Sequence, residues 1–355
     1  MSPAASPTVL VTGGAGYVGS HVCKALAARG FTPVVYDNLC RGNLWAVRWG
    51  PLETGDIGDR RRLAEVLVRY APCAVIHLAA FAYIAESEAH PQLYYDNNIT
   101  RATAMLETLL DHGVEQIIFS SSCATYGISE TMPIVESHVP APVNVYGTSK
   151  LIFEMILRDY TRQGRLRPCV LRYFNAAGAD PEGEIGEYHN PEPHIIPLLL
   201  AACATPGTPF SILGADYPTP DGSCIRDYIH VADLATAHVQ ALDYLLSGGA
   251  PVTLNLGTGQ GLSVRELIRL AESVTGARIE ARIQPRRAGD PPILVASAGA
   301  AEQILGWRPR WTDPRDLLAS AWAWFTGPLP LLLSSSPLPR TGTGHDPAHR
   351  DYLRR

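Results

Sequence analysis

The feature that most constrains the fold is a glycine-rich turn near the start of the chain. The run Gly13-Gly-Ala-Gly-Tyr-Val-Gly19 directly follows a β-rich stretch, Thr8–Thr12, and precedes a helical segment that ends at Gly30. A second predicted strand, Thr32–Tyr36, leads directly to Asp37. In this order, the glycines let backbone N–H groups and a helix N-terminus approach a pyrophosphate. The sequence therefore predicts a βαβ unit that binds a dinucleotide.

Residue types in this unit favour NAD as the cofactor. The carboxylate of Asp37 would bind the hydroxyls of the adenosine ribose and repel a 2′-phosphate, so NADP is disfavoured. The apolar run Cys73–Ala80 is typical of a buried parallel strand, and it ends in residues small enough for a flat ring or a diphosphate to lie close. The cofactor-binding residues predicted from these patterns are Gly13, Gly16, Tyr17, Val18, Gly19, Asp37, Ala79 and Ala80.

Strands and helices alternate beyond this unit, which is the pattern of α/β folds with a parallel sheet. The predicted elements are, in order, helix 60–70, the buried strand, helix 97–112, strand 116–122, a helix opened by Tyr146, and strand 168–175. Between 178 and 197 the composition turns to Pro, Gly, Glu and His, which indicates departure from that sheet. We therefore predict a Rossmann-type doubly wound parallel sheet with a smaller mixed α/β substrate-binding domain.

The remaining elements set the predicted domain boundaries. A strand at 252–257 is expected to return to the first sheet, and helices are predicted at 228–246, 263–275, 297–305 and 317–325. The predicted NAD-binding domain comprises residues 1–175 and about 228–258, and the substrate-binding domain about 176–227 and 259–326. Residues 327–355 hold Pro, Ser, Gly and arginines without a period, so a disordered tail is expected there.

Tyr146 and Lys150 are the most informative pair for chemistry. The apolar residues that follow them, including Leu151, Ile152 and Met155, have helical spacing, so the two side chains share one helix face. A free phenol titrates near pH ~10, and a cation within a few ångströms lowers its pKa by about 1–3 units. We therefore expect Lys150 to lower the pKa of Tyr146, which would make it an acid–base group near neutral pH.

Polar residues at predicted strand ends add to this pair. The serines at 120–122 close a strand at the carboxyl edge of the sheet, where ligands bind in open α/β folds. One of these hydroxyls can complete a Ser–Tyr–Lys proton-transfer set, whereas Ser120 is expected to make hydrogen bonds within the strand end. His77 lies inside a predicted buried strand and is interpreted as a core histidine.

Charge and cysteine usage exclude several classes of protein. A net charge of −5 and a pI near 6.1 provide no overall basic field for nucleic acid or an anionic membrane. The seven cysteines are odd in number and include no Cys-x-x-Cys pair, so neither a disulfide framework nor a structural zinc site is expected, and no metal-binding residues are predicted. The N-terminus has no secretory features and no apolar run approaches about 18 residues. A cytoplasmic location is therefore expected.

Further motifs are specific enough to indicate a family. They are Ser120-Ser-Ser-Cys-Ala-Thr-Tyr-Gly127, Arg172-Tyr-Phe-Asn175, Asp216-Tyr-Pro-Thr-Pro-Asp-Gly222, Ile225-Arg-Asp-Tyr-Ile-His-Val231 and Arg286-Arg-Ala-Gly-Asp290. With the glycine turn and the Tyr146–Lys150 pair, they resemble the extended short-chain dehydrogenases/reductases, and among these the NAD-dependent UDP-glucose 4-epimerase family. The similarity extends from about residue 8 to residue 325.

The resemblance implies a role for each matching position. Tyr146 would be the acid–base group, Lys150 its partner on the nicotinamide ribose, and Ser122 the hydrogen-bond partner of the sugar 4-hydroxyl. Further implied NAD contacts are Asn38, Asp56, Ile57, Asn97 and Tyr173. The implied UDP contacts are Asn175, Ser211, Ile212, Leu213, Arg226, Arg287 and Asp290. A homodimer is implied as well.

The activity implied by the resemblance is reversible C4 epimerisation of UDP-glucose and UDP-galactose, through a 4-keto intermediate with transient hydride transfer to tightly bound NAD. Related dehydratases carry an Asp-Glu pair directly after the strand-end hydroxyl, whereas Cys123 and Ala124 follow Ser122 here. Two alternatives remain open: the same reaction on UDP-pentoses (UDP-xylose and UDP-arabinose), and a non-catalytic NAD-binding regulator. Leu294 is expected to lie in the sugar pocket, where its bulk would disfavour N-acetyl sugars.

Overall fold

The computed structural model describes residues 6–205, 207–287 and 289–328. Almost all of the segment 327–355, for which disorder is expected, lies outside these residues. No helix in the described ranges is both long enough and apolar enough to cross a membrane.

The described residues form two groups of strands covered by helices. The strands are β1 (Thr8–Thr12), β2 (Thr32–Asp37), β3 (Leu52–Thr54), β4 (Ala74–His77), β5 (Gln116–Ser122), β6 (Arg167–Tyr173), β7 (Asn175–Ala177), β8 (Phe210–Leu213), β9 (Ile225–His230), β10 (Val252–Leu256), β11 (Gly261–Ser263), β12 (Ala281–Gln284) and β13 (Ile293–Leu294). The α-helices are α1 (Tyr17–Ala28), α2 (Arg60–Tyr70), α3 (Ile84–Ala89), α4 (Pro91–Tyr95), α5 (Ala102–Asp111), α6 (Val145–Arg162), α7 (Ile195–Ala204), α8 (Val231–Leu246), α9 (Val264–Thr275), α10 (Gly299–Leu305) and α11 (Pro314–Phe325).

The large sheet has seven strands in the order β10-β6-β5-β4-β1-β2-β3, and every neighbouring pair is parallel. From β1 the chain proceeds to β2 and β3 on one side, and β4 then begins the other half. The carboxyl ends of β1 and β4 therefore flank the point at which the strand order reverses, where doubly wound sheets bind their ligands. This arrangement confirms the predicted Rossmann-type sheet and the return of the strand near 252.

Apolar side chains cover the large sheet on both faces, as a parallel sheet requires. On one face, Val22 and Leu26 of α1 pack with Leu234 and Leu242 of α8 over the sheet. On the other face, α2, α5 and α6 contribute the apolar side chains Leu63, Val66, Met105, Leu109, Phe153 and Leu157. Because helices close both faces, a ligand can approach this sheet at the edges formed by the strand ends.

The smaller strands lie beyond this carboxyl edge. The second sheet has the order β11-β9-β13, with β7 paired to β9 as well, and β8 pairs with β12 in a parallel two-stranded ribbon. Helices α7, α9 and α11 bury one apolar cluster here, with Leu199, Leu267 and Leu318 at 2% exposure or less. Strand β7 begins two residues after β6 ends, so the chain passes directly from the large sheet to the small one.

Two sequence-based predictions of helices were wrong in part. The helix expected from Tyr228 begins at Val231, because Tyr228–His230 completes β9; a fully buried apolar run does not distinguish a strand from a helix. The helix expected from Asn97 opens with a π-helical segment, Asp96–Arg101, before α5. There the side chain of Asn98 bonds both the N–H and the carbonyl of Phe81.

Candidate active site

A cleft of about 540 Å³ lies between the carboxyl edge of the large sheet and the smaller strands. It brings together most of the residues singled out in the sequence, although they are scattered over more than 270 positions of the chain. Those lining it are Gly13, Gly16, Tyr17, Val18, Gly19, Asp37, Asn38, Ile57, Ala79, Ala80, Asn97, Ser122, Tyr146, Tyr173, Asn175, Ser211, Leu213, Arg226, Arg287, Asp290 and Leu294.

The glycine turn forms the floor of the cleft beside β4. Gly13 has φ +75°, and a Cβ there would lie 2.6 Å from the backbone nitrogen of Ala79. A Cβ on Gly19 would lie 2.2 Å from the carbonyl oxygen of Gly13, so both positions require glycine for the close approach of backbone to backbone. Helix α1 starts at Tyr17 with no acidic residue in its first turn, which leaves its N-terminus suited to an anion.

Asp37 ends β2 at the same edge. Its Oδ2 accepts a hydrogen bond from the backbone N–H of Ala15 (3.1 Å), and its Oδ1 accepts one from that of Leu39 (2.8 Å). Burial raises the pKa of this carboxyl group, while the two hydrogen bonds act in the opposite direction. These two hydrogen bonds hold the carboxylate at the end of β2, beside the glycine turn. These features, together with the glycine turn and the adjacent Ala79, fit a dinucleotide.

Tyr146 lies in the first turn of α6, and Lys150 lies one turn later on the same face. The ammonium of Lys150 donates a hydrogen bond to the carbonyl of Ser120 (2.8 Å), and its Nζ lies 4.9 Å from the ring centroid of Phe119 and 5.9 Å from that of Tyr146. Lys150 is 4% exposed, and this burial lowers its pKa to about 7. It lies behind the cleft wall rather than on it.

The expectation that Lys150 lowers the pKa of Tyr146 is wrong for the chain as it stands. Burial raises the pKa of Tyr146 above its ordinary value, and hydrogen bonding to Ser122 only partly opposes this. The physical reason is that both groups are desolvated: loss of water disfavours the charged phenolate and the charged ammonium together. The structure as described therefore favours the neutral phenol of Tyr146 over its phenolate.

The three serines at the end of β5 have different partners. Ser120 Oγ bonds His238 Nε2 (2.8 Å), and Ser121 Oγ donates to Glu154 (2.5 Å). Ser122 is the serine of this cluster that lines the cleft, where its Oγ accepts a hydrogen bond from the backbone N–H of Ala124 (3.1 Å). His77 is buried and bonded to the hydroxyl of Thr12 (2.7 Å), in agreement with the interpretation as a core histidine.

The far wall of the cleft carries the predicted UDP contacts. Arg226 is 8% exposed, and its guanidinium pairs with the carboxylate of Asp290 at 2.5 Å. Asn175 on β7 lies opposite Tyr228 on β9 in the parallel register. Arg287 lines the same wall. The wall thus combines guanidinium groups, which match diphosphate oxygens, with an amide and an aromatic ring.

Three of the predicted site residues do not line the cleft. Ile212 is 2% exposed within the apolar cluster under α7 and α9, because successive side chains of a strand face opposite sides. Its neighbours Ser211 and Leu213 therefore face the cleft. Asp56 is engaged with Asn38, whose Nδ2 donates to its Oδ2 (2.9 Å), and with the guanidinium of Arg101 (3.0 Å). Lys150 is the third.

Several cleft residues were missed by sequence reasoning. The sequence predicts a helix from Tyr228, so its ring was not expected at the far wall of the cleft. Arg41 lines the cleft with its guanidinium 4.9 Å from the ring centroid of Tyr83 and 5.4 Å from that of Phe81. The segment 187–194 supplies further lining residues, although its composition was interpreted only as departure from the sheet. Contacts between distant segments leave no signal in the local spacing of residues, so the sequence did not predict them.

Comparison with known proteins places this geometry in a family. A sequence model of the NAD dependent epimerase/dehydratase family matches residues 9–257. The UDP-glucose 4-epimerase of Rhizobium meliloti is 51% identical over 316 residues, which cover 89% of this chain and 96% of that protein.

Solved structures agree with this assignment. The UDP-glucose 4-epimerase of Brucella ovis in complex with NAD superposes with a TM-score of 0.87 at 47% identity, covering 90% of this chain and 98% of that one. The enzyme of Stenotrophomonas maltophila with bound NAD and formylated UDP-arabinopyranose gives a TM-score of 0.87 at 39% identity, covering 93% and 100%. The chain described here therefore belongs to the NAD dependent epimerase/dehydratase family.

Proposed function

We propose that this chain catalyses the reversible C4 epimerisation of UDP-glucose and UDP-galactose. The observation that carries the proposal is that Tyr146 and Ser122 face one cleft together with the glycine turn on one side and the Arg226–Asp290 pair on the other. A sugar nucleotide held by its diphosphate at Arg226 would place its sugar between these two sides. The named relatives at up to 51% identity support the same activity.

The residues of the cleft floor would hold NAD. The turn from Gly13 to Gly19 and the N-terminus of α1 would bind the pyrophosphate, and Asp37 the adenosine ribose. NAD would supply, when bound, the acceptor for the hydride of C4, and the positive charge of its oxidised nicotinamide would favour the phenolate of Tyr146. Every cycle returns the hydride, so no second redox substrate is required.

Tyr146 and Ser122 would manage the proton of the sugar 4-hydroxyl. The phenolate of Tyr146 would remove that proton as C4 is oxidised and return it when C4 is reduced on the other face. Ser122 Oγ already accepts from Ala124 N–H, so its own proton is free to be donated toward the tyrosine or the sugar oxygen. Lys150, with its pKa lowered to about 7, would hold or release a proton behind the tyrosine at little free-energy cost near neutral pH.

The residues after Ser122 support epimerisation over elimination chemistry. Cys123 is buried, and burial raises the pKa of its thiol to about 12, so it supplies neither an acid nor a base near neutral pH. Ala124 carries no functional group. At these two positions a 4-keto sugar would thus meet no group that could remove water from it, which favours return of the hydride.

A panel of UDP-sugars tests the proposal. Purified protein should interconvert UDP-glucose and UDP-galactose without added oxidant, with products identified by NMR, and should release NAD on denaturation. Turnover confined to UDP-xylose and UDP-arabinose would replace it with the pentose alternative. Absence of turnover on every sugar, with NAD still bound, would favour a non-catalytic NAD-binding regulator.

We further propose the assembly and division of labour that accompany this activity. Residues 1–175 and about 228–258 would bind NAD, and about 176–227 and 259–326 the UDP-sugar. Because β9 pairs within the smaller sheet, it supports moving the boundary proposed at 228 to about residue 230. The family resemblance supports a homodimer, which light scattering of the purified protein would test. A cytoplasmic location is the expectation for an enzyme of nucleotide sugars, and fractionation of cells would test it.

A further inference from the structure

Four potential metal ligands converge in the segment that joins β7 to α7. The His/Glu cluster consists of Glu187, His189, Glu192 and His194, which fall within eight consecutive residues. One ligand atom from each lies within 4.8 Å of all the others. Three of the four side chains line the cleft, but none belongs to the catalytic set proposed above.

The histidine–carboxylate distances in this cluster are close to those of a tetrahedral coordination shell. Nδ1 of His194 lies 3.0 Å from Oε1 of Glu187 and 2.9 Å from Oε1 of Glu192. Nδ1 of His189 lies 3.5 Å and 3.3 Å from oxygens of the same two carboxylates. A zinc ion with bonds of about 2.0–2.2 Å in a tetrahedron has ligand atoms about 3.3–3.6 Å apart. Small adjustments of the side chains would therefore complete the shell.

Aromatic packing fixes the orientation of both imidazoles. The ring of Tyr83 meets those of His189 and His194 edge to face at 5.9 Å and 5.6 Å between centroids. The ring of Tyr17 contacts His189 in the same manner at 6.5 Å. Both histidines thus present the same nitrogen, Nδ1, to both carboxylates. Preorganised ligands of this kind lose little conformational freedom when a metal binds.

The charge of the His/Glu cluster calls for a cation. Side chains of Glu187 and Glu192 are only 8% and 19% exposed, and the ion pairs that they form within the described ranges are with the two histidines. The chain contains a contrasting group, in which Asp180, Glu182 and Glu184 surround Lys24 at 2.7–2.8 Å. There a lysine supplies the positive charge, whereas no lysine or arginine of the described chain is paired with the His/Glu cluster.

We propose that the His/Glu cluster binds a divalent transition-metal ion, with Zn²⁺ as the ion that the site fits best. Two imidazole nitrogens and two carboxylate oxygens suit a borderline-soft cation, whereas Mg²⁺ prefers an octahedral shell of oxygens. The bound ion would cross-link residues 187–189 to residues 192–194 within the segment before α7. This segment lies on the cleft wall, next to Tyr17 of the glycine turn. It would do so whether or not the chain is an epimerase.

Protons are the competing occupants of the same site. Nδ1 of His194 lies within hydrogen-bond distance of both carboxylates, so a protonated imidazole can also balance their charge. Zinc would displace this proton from Nδ1. Zinc binding should therefore release protons and weaken as the pH falls. If the His/Glu cluster binds only protons, the protein will bind no zinc there.

Titration of the chelator-treated protein with ZnCl₂ against a chromophoric chelator tests the proposal. We expect one Zn²⁺ per chain from the His/Glu cluster, no competition from Mg²⁺, and a higher midpoint of thermal unfolding with zinc. Co²⁺ in place of Zn²⁺ should give the intense visible absorption of tetrahedral coordination. This spectrum can be interpreted on the wild-type protein alone, without a variant.

Matched variants assign the binding to these residues. Glu187→Gln should weaken zinc binding by more than about tenfold, and Glu187→Gln with Glu192→Gln should abolish both binding and the zinc-dependent thermal shift. Glu182→Gln, an acidic-to-amide change in the lysine-containing group, should leave both unchanged. Unaltered zinc binding in the double variant would move the site elsewhere, for example to cysteines, and overturn the proposal. So would a wild-type chain that binds zinc no better than Mg²⁺, or a Co²⁺ spectrum without tetrahedral bands.

Discussion

At the scale of single residues, burial decides the protonation of the groups behind the cleft. Lys150 sits against Phe119 and is held by the carbonyl of Ser120, so its ammonium is poorly solvated. The same burial raises the pKa of Tyr146. Burial therefore favours the neutral form of each group, and a positively charged ligand bound beside Tyr146 would favour its phenolate.

Removal of the phenol hydroxyl should abolish most turnover. Tyr146→Phe keeps the ring and its packing but removes the group that carries the proton, so we expect kcat to fall by about 10²–10⁴-fold with UDP affinity retained. Tyr160→Phe is the matched control, since Tyr160 lies at the other end of α6 and bonds Glu107 at 3.3 Å. Steady-state kinetics and UDP titration measure the two effects. More than half of the wild-type kcat in Tyr146→Phe would remove the residue from the mechanism.

Replacement of the buried ammonium should stabilise the ligand-free protein. The pKa of Lys150 is lowered to about 7 in the folded chain and is near 10.5 in the unfolded chain. The unfolded state therefore binds more protons between these values, so stability rises with pH across this window and the destabilisation is complete below pH 7. At pH 6 the free energy of unfolding of Lys150→Met should exceed that of wild type by up to about a few kcal/mol, and the difference should shrink toward pH 10.

Calorimetry at several pH values measures this difference. Lys150→Arg stays charged, so its difference in stability from Lys150→Met should not shrink as the pH rises. The prediction would be contradicted if Lys150→Met were less stable than wild type at every pH. Activity should be lost in Lys150→Met regardless, which would separate the residue's functional value from its effect on stability.

Leu294 bears on the choice of sugar. It is 7% exposed, lies beside Arg226 in the β13–β9 register, and packs with Cys123, Tyr126 and Phe174. Overpacking such a wall costs about 1–3 kcal/mol, which corresponds to roughly 5–150-fold against an N-acetyl sugar. We expect Leu294→Cys to raise kcat/KM for UDP-N-acetylglucosamine selectively. Equal use of both sugar pairs by wild type, or an unchanged ratio in the variant, would refute this.

At the scale of elements, the start of α6 is the part that assembles the site. A Cβ on Gly147 would lie 2.3 Å from the carbonyl oxygen of Ala124, so the helix approaches the turn after β5 closely enough to exclude any side chain there. This contact brings Ser122 and Tyr146 to the same wall. The side chain of Asn144 accepts a hydrogen bond from the N–H of Gly147 (2.8 Å) and caps the helix.

Loss of this cap should affect both stability and catalysis. Asn144→Ala leaves the first-turn N–H groups unsatisfied, and we expect the free energy of unfolding to fall by about 0.5–2 kcal/mol. Because Tyr146 lies in that first turn, kcat should fall as well. Asn144→Asp, which can still accept the hydrogen bond, should preserve both. Denaturant unfolding and kinetics of the two variants check this; equal effects of Ala and Asp would mean that the cap is not the cause.

At the scale of the whole molecule, the cleft lies between two sheets that share one chain. The chain leaves the large sheet after β6, returns through α8 to β10, and then continues to β11 of the small sheet. Neither side of the cleft is built from one continuous segment. Ligands that contact either side should therefore stabilise both together.

Thermal unfolding with ligands tests this coupling. At about 100 times its Kd, UDP should raise the free energy of unfolding by about 2.7 kcal/mol, and NAD should do the same for any fraction of the protein that lacks it. Both should shift a single transition, whereas NADP in place of NAD should shift it less because of Asp37. Two separated transitions, of which each ligand moved only one, would show that the sheets unfold independently.

The sequence by itself determined the elements whose signals are local. The glycine turn, Asp37 at the end of β2, the serines at the end of β5 and the Tyr146–Lys150 spacing each lie within one short segment, and backbone geometry places them at one edge of a parallel sheet. Tertiary structure decided what depends on distant neighbours: the inward face of Ile212, the strand at Tyr228, the hydrogen bond that draws Lys150 to Ser120, and the desolvation that raises the pKa of Tyr146. The physical reason is that periodicity and glycine placement act through the local backbone, whereas burial and charge are set by side chains that the folded chain brings together from far apart.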